Sequence, residues 1–147
     1  MNPQLSLEIK QVAVCLLVVA VALIAVGIIS NTLARHVIQI IPPLLAFLII
    51  PRWMFAGVWA AVGVLGMWFA VMLAIWAYLL GLSDLASGTF TNVDVFLTIV
   101  IAGCSAHAIQ KAVQGARRGP LLVGVVALAG GLAAQVAAIV LSYELFA

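Results

Sequence analysis

Four long apolar runs dominate this chain, at Val12 to about Leu33, Met54 to Leu82, Val93 to about Gln110 and Leu121 to about Phe146. Each is long enough to carry a helix across the ~30 Å hydrocarbon core of a bilayer at about 1.5 Å per residue. They are too long and too uniformly apolar for barrel strands, so helices are the one way to satisfy their backbone in lipid. The polar connections are short, the longest covering 83–92, and a single transmembrane domain over 1–147 is expected. Composition agrees: 67% of residues are hydrophobic, 7% are charged and the mean hydropathy is +1.37. That leaves too little polar surface for a dissolved globule, which excludes a soluble enzyme, a nucleic-acid-binding protein and a disordered chain. The net charge of +2 is also too small to steer nucleic acid.

A fifth apolar piece, Val37 to Ile50, is shorter and contains Pro42-Pro43. The two prolines remove backbone donors and disfavour helix at Ile41, so the segment reads as broken, with a helix starting at the prolines. Its length fits a re-entrant or interfacial piece, with a fifth crossing as the alternative. Ala25-Val26-Gly27 faintly resembles a signal cleavage site, but the apolar run continues past it and an uncleaved anchor is expected. The fold class is thus an all-α membrane bundle of four transmembrane helices plus a short proline-broken segment.

Four crossings put Arg35, His36, Arg52, Lys111, Arg117 and Arg118 on one face, and Glu8, Lys10, Asp84, Asp94 and Glu144 on the other. Five of the six basic residues then share the cytoplasmic side, and both termini face outward. Five crossings move the N-terminus inside and exchange Lys10 with Arg35, leaving the same score. The four-crossing reading is taken as the expectation. Either way the 111–118 loop is cytoplasmic and the 83–92 loop external. In the external loop Thr91-Asn92-Val93-Asp94 has capping-box spacing, so Asp94 reads as a helix cap rather than a functional acid.

Arg35-His36, Pro42-Pro43, Pro51-Arg52-Trp53, the run from Ile75 to Gly81 and Ser87-Gly88-Thr89-Phe90 resemble a group of small, uncharacterised bacterial inner-membrane proteins with four predicted spans. The resemblance covers roughly 35–108. It implies a bacterial cytoplasmic membrane and brings no activity or functional residue with it.

Chemistry within the spans is sparse. A proton-coupled exporter needs a carboxylate inside a span, but Glu8 precedes the first and Glu144 ends the last. Cys15 and Cys104 lie in apolar runs and form no Cys-x-x-Cys; they read as small apolar side chains. Cys104 and His107 share a helix face, and His36 with His107 could be axial haem ligands near one membrane face. Interfacial histidines beside basic residues are the simpler reading, and no cofactor or metal is expected. No serine nucleophile motif, phosphate loop or carboxylate pair occurs, so the chain is not read as an enzyme. His107, Gln110, Lys111, Gln114, Arg117 and Arg118 recur every three or four residues, as in a helix extending past the bilayer until Gly119-Pro120. Lys111, Arg117 and Arg118, helped by Arg35 and Arg52, are candidate contacts for anionic headgroups, but three basic residues in the loop fall short of a dedicated lipid cluster and topology-setting charge with snorkelling side chains is the simpler reading.

The tryptophans all belong to the second run and its approach. Trp53 and Trp59 suit one interface, Trp76 with Tyr78 the other, and Trp68 lies mid-membrane, where Asn31, Gln39 or Gln135 could accept its indole proton.

Small residues form the most informative pattern. Ala56, Ala60, Gly63, Met67, Ala70, Ala74, Ala77 and Gly81 alternate at four and three; seven of these eight are Ala or Gly, against ten of the 29 residues over 54–82. Gly124, Ala127, Gly131, Ala134 and Ala138 repeat the pattern in the last run. In lipid, close approach of small-residue faces supplies the contacts that hold helices together, and this alternation is the seam of left-handed pairing. The functional expectation is a non-enzymatic protein working by helix packing, as an accessory subunit of a larger membrane complex or a self-associating scaffold. The alternative is a small oligomeric channel or transporter with Gln135, Asn31 or Ser105 facing a cavity. A haem- or metal-binding redox protein comes third.

Overall fold

In the computed structural model, which describes residues 3–84, 90–115 and 120–146, the chain is all-helical. Its helices are α1 (Pro3–Ile29), α2 (Leu33–Gln39), α3 (Ile41–Ile49), α4 (Met54–Leu79), α5 (Asn92–Gly115) and α6 (Leu121–Leu145). Four of them, α1, α4, α5 and α6, are long and apolar enough to cross a membrane. This is a multi-pass membrane protein.

The ends of these helices are set by local chemistry. At the start of α5 the Thr91 amide donates to Asp94 Oδ2 at 2.9 Å, and the Asp94 amide donates to Thr91 Oγ1 at 3.2 Å. This reciprocal pair is the capping box the sequence predicts. Pro42 and Pro43 occupy the first turn of α3, the part of a helix that tolerates proline best. The α1–α2 turn places Asn31 at φ 55°, a left-handed conformation that asparagine tolerates better than other non-glycine residues.

Neighbouring contacts fix the direction of each helix. Cys15 and Cys104 lie side by side, so α1 and α5 are antiparallel. Leu23 and Val26 near the end of α1 share a cavity with Met72 and Ile75 near the end of α4 and with Asp94 and Thr98 near the start of α5. Thus α1 and α4 run the same way. Gly124 faces Phe55 and Trp59, and Gly131 faces Ala60, so α6 is parallel to α4. Three of the four long helices therefore point in one direction.

That order requires a return passage between α1 and α4, and α2–α3 supplies it. Arg35 meets Phe146 at the end of α6, Gln39 meets Ser142 and Gln135, and Pro42 to Ile49 lie beside Ala134 to Ala127. The passage ends with Ile50 packed on Gly57 near the start of α4. The broken segment does not double back, as a re-entrant piece would; its 17 residues, Leu33–Ile49, run ~25 Å along α6. The break lies at Ile40, between the two helices, and the prolines continue the path rather than reversing it.

The bundle consequently has a basal end, with the starts of α1, α4 and α6 and the end of α5, and a distal end. Glu8, Lys10, Arg52 and Lys111 are basal; Arg35, His36, Asp84, Asp94 and Glu144 are distal. The core is built on α1, α4 and α5 by Val12, Leu16, Val19, Leu23, Val64, Leu65, Trp68 and Ile101. α6 packs on α4, α2 and α3 and makes no contact with α5 among the described residues, although it follows α5 in the chain.

Candidate functional site

Among the described glycines, the tightest fit is at the seam between α4 and α6. A Cβ added at Gly63 would lie 2.7 Å from the Leu132 amide nitrogen and would meet the Leu128 carbonyl. One added at Gly131 would lie 2.9 Å from the carbonyl carbon of Ala60. Carbon atoms in good contact stand about 3.5–4.0 Å apart, so only glycine permits this approach. At Gly63 and Gly131 the two helices meet backbone to backbone within one chain.

Its membership differs from the sequence reading in part. Ala56, Ala60 and Gly63 on α4 face α6, while Ala74 and Ala77 are half-buried and Ala70 is exposed. On α6, Gly124 and Gly131 are buried against α4, and Ala138, Gln135 and Ser142 are buried on the same face, the last two bonded to Gln39 of α2. Ala134 is exposed and Ala127 half-buried; both line an apolar cleft beside the seam. The inner face of α6 therefore reads Gly124, Leu128, Gly131, Gln135, Ala138, Ser142. The spacing is the same alternation of four and three, with a leucine and two polar residues among the small ones.

Gln135 explains how the proline break is accommodated. Pro43 has no N–H to give the carbonyl of Gln39, four residues earlier. Gln135 Nε2 donates to that carbonyl at 3.2 Å instead, and Gln39 Nε2 donates to Ser142 Oγ at 2.8 Å. Gln39, Gln135 and Ser142 are all buried. A side chain from α6 thus satisfies a backbone acceptor that lipid could not, as broken helices in membranes require. Gln39 and Gln135 are engaged with each other and not with the indole of Trp68, whose N–H finds no acceptor among the described residues. Asn31 lies in the distal turn and does not reach it either.

The charged candidates separate. Arg35 is distal, opposite Arg52 and Lys111. Its Nε donates to the Phe146 carbonyl at 3.2 Å, and its guanidinium lies 5.1 Å from the Tyr143 ring centroid. It satisfies a carbonyl that the end of α6 leaves open, and it does not join a basal headgroup cluster. Arg52 is exposed at the basal end and Lys111 is half-buried there; Arg117 and Arg118 lie outside the described residues. The amphipathic continuation of the third run is present as far as Gly115.

The two histidines are equally far apart. His36 sits against Gly27 of α1, whereas His107 is one turn beyond Cys104, which faces Cys15. They differ by about four helical turns in depth, ~22 Å, and cannot hold one haem between them. No group of three or more metal-ligating side chains occurs among the described residues. Gln135 and Ser105 are fully buried, and neither lines the cavities described here.

Other helical glycines have open space: Gly103 on α5 and Gly130 on α6 are exposed, Gly66 on α4 is half-buried, and a Cβ at any of them would meet nothing within 4 Å. Ile99, Gly103, His107, Gln110 and Gln114 all face outward on α5, again at spacings of four and three.

The sequence matches no family model and no curated protein, and the fold matches no solved structure.

Proposed function

We propose that this is a non-enzymatic protein of the bacterial cytoplasmic membrane that works by helix packing, as an accessory subunit of a larger membrane complex or a self-associating scaffold. The observation that carries this reading is the outward face of α5 around Gly103. A mid-helix glycine costs roughly 0.5–1 kcal/mol relative to alanine. At Gly63 and Gly131 close approach of a neighbouring helix offsets that cost. At Gly103 nothing in the chain does so, and His107, Gln110 and Gln114 carry the same exposed face on to the basal end with polar groups that a partner could engage. A partner helix along this face would use all of them. The α4–α6 seam is already filled within the chain and holds the protomer together.

In this reading the basal end is cytoplasmic, because Lys10, Arg52 and Lys111, and by sequence Arg117 and Arg118, gather there. The order of helices supports five crossings, with the N-terminus inside and the C-terminus outside. The test is mild detergent extraction followed by mass measurement of the wild type and of Gly103→Leu. The wild type should run in a homo- or hetero-oligomer, and Gly103→Leu should release a chain of 15.4 kDa with no loss of thermal stability in the protomer. A wild-type chain that runs alone, or an assembly indifferent to Gly103→Leu, would refute the reading.

A further inference from the structure

A second feature of the basal half points to a ligand rather than a protein partner. α3 and α6 both lean on α4, and between them lies an open cleft of about 290 Å³ lined by Pro42, Leu45, Ile49, Ala60, Gly130 and Ala134 among others. All of its lining side chains are apolar. Ala56 and Ala60 form its floor because they are too small to fill the angle between two helices that meet on one face of α4. The cleft runs from Trp53, 70% exposed at the basal end, to Pro42 and Ala134 at mid-depth of the bundle. Along α6 it covers Ala127 to Ala134, ~10 Å.

A cation stands at its mouth. Arg52 is exposed next to Trp53, which lines the cleft; Lys10 and Lys111 stand at the same basal end but on α1 and α5, away from α6. The starts of α4 and α6 lie side by side here with no side-chain cap on either, so their free amides add positive potential at the same surface. We propose that the cleft holds one acyl chain of an anionic phospholipid from the basal leaflet, with the phosphate on Arg52 and the glycerol level with the Trp53 indole. The apolar walls accept any lipid tail; the basic mouth selects the anionic head. This inference is independent of the oligomer proposed above.

The variant that tests it follows from the open space at Gly130. A leucine there enters the cleft without meeting backbone, whereas the adjacent Gly131 is locked against Ala60. Native mass spectrometry of the full chain in non-ionic detergent would be run with phosphatidylglycerol and phosphatidylcholine of identical chains. The wild type should retain one phosphatidylglycerol in preference to phosphatidylcholine. Arg52→Gln should lower phosphatidylglycerol retention about fivefold and remove the preference, while Gly130→Leu should lower retention of both lipids. Gly103→Leu, on the opposite side of the bundle's connectivity, should change neither. Equal retention of the two lipids by the wild type would overturn the proposal. So would unchanged retention in both Arg52→Gln and Gly130→Leu, or a wild-type dimer that Gly130→Leu dissociates, which would assign the cleft to a second copy.

Discussion

Gly130 and Gly131 are adjacent in sequence and opposite in circumstance, which makes them a controlled experiment on the seam. In Gly131→Ala the new methyl would lie 2.9 Å from the carbonyl carbon and 3.0 Å from the Cα of Ala60. Both are backbone atoms, so no rotamer change relieves the clash and the two helices must part. Overpacking of this kind costs about 1–3 kcal/mol. In Gly130→Ala the methyl meets nothing within 4 Å, and helix propensity alone should stabilise by roughly 0.5–1 kcal/mol. The pair should therefore differ by about 1.5–4 kcal/mol, with opposite signs relative to wild type. In a thermal unfolding assay in detergent that is a separation on the order of 10 °C. Gly131→Leu should be worse than Gly131→Ala although leucine is the better membrane residue, and Val140→Leu, 54% exposed and off the seam, should be nearly silent. Gly63→Ala and Gly131→Ala should be less than additive, because either alone opens the same interface. Equal stability of Gly130→Ala and Gly131→Ala would show that α4 and α6 are not in backbone contact, and the seam would have to be abandoned.

Other features give independent expectations. Cysteines introduced at Leu7 and Gln114 should both be shielded from an impermeant thiol reagent added outside the cell, while one at Asp84 should be labelled; external labelling of the Leu7 position would refute the fifth passage. Gln135→Leu should destabilise by about 1–3 kcal/mol in the same thermal assay, because it leaves the buried Gln39 carbonyl without its donor; a neutral effect would mean the proline break is satisfied in another way. Thr91→Ala should cost about 1 kcal/mol and speed amide exchange in the first turn of α5, and unchanged exchange there would deny the cap.

The sequence carries some of this architecture openly. The capping box at Thr91 and Asp94 involves residues three apart, so spacing alone reveals it. Gly63 and Gly131 are visible because a repeat of small residues has no other physical use in lipid. Ala127 and Ala134 mislead because α6 carries alanine on several faces, and periodicity cannot say which face is inward. Gln135 and Ser142 stand outside that stripe because polar residues break a small-residue pattern, yet they lie on the same buried face of α6. Direction was harder still. Hydropathy marks a passage but not its sense, and exchanging Lys10 with Arg35 leaves the charge score tied. The short Leu33–Ile49 passage could be recognised as complete only from the partners met along it: Phe146, Ser142, Gln135 and finally Gly57.

That passage has an electrostatic consequence. Because α2–α3 returns the chain, α4 and α6 lie parallel in direct contact, and their peptide dipoles repel side by side. Antiparallel neighbours would have cancelled. The distal end relieves part of this through Arg35, which brings a guanidinium to the negative end of α6. At the basal end the chain does the reverse, placing Arg52 just before the positive start of α4. A carboxylate there would have been the stabilising choice. Positive charge at a positive helix end, beside a cleft with apolar walls, is unfavourable on its own and would become favourable with an anion bound. Under the lipid proposal the parallel pair, the broken passage and Arg52 are one arrangement, in which an anionic headgroup would relieve the charge at the helix starts.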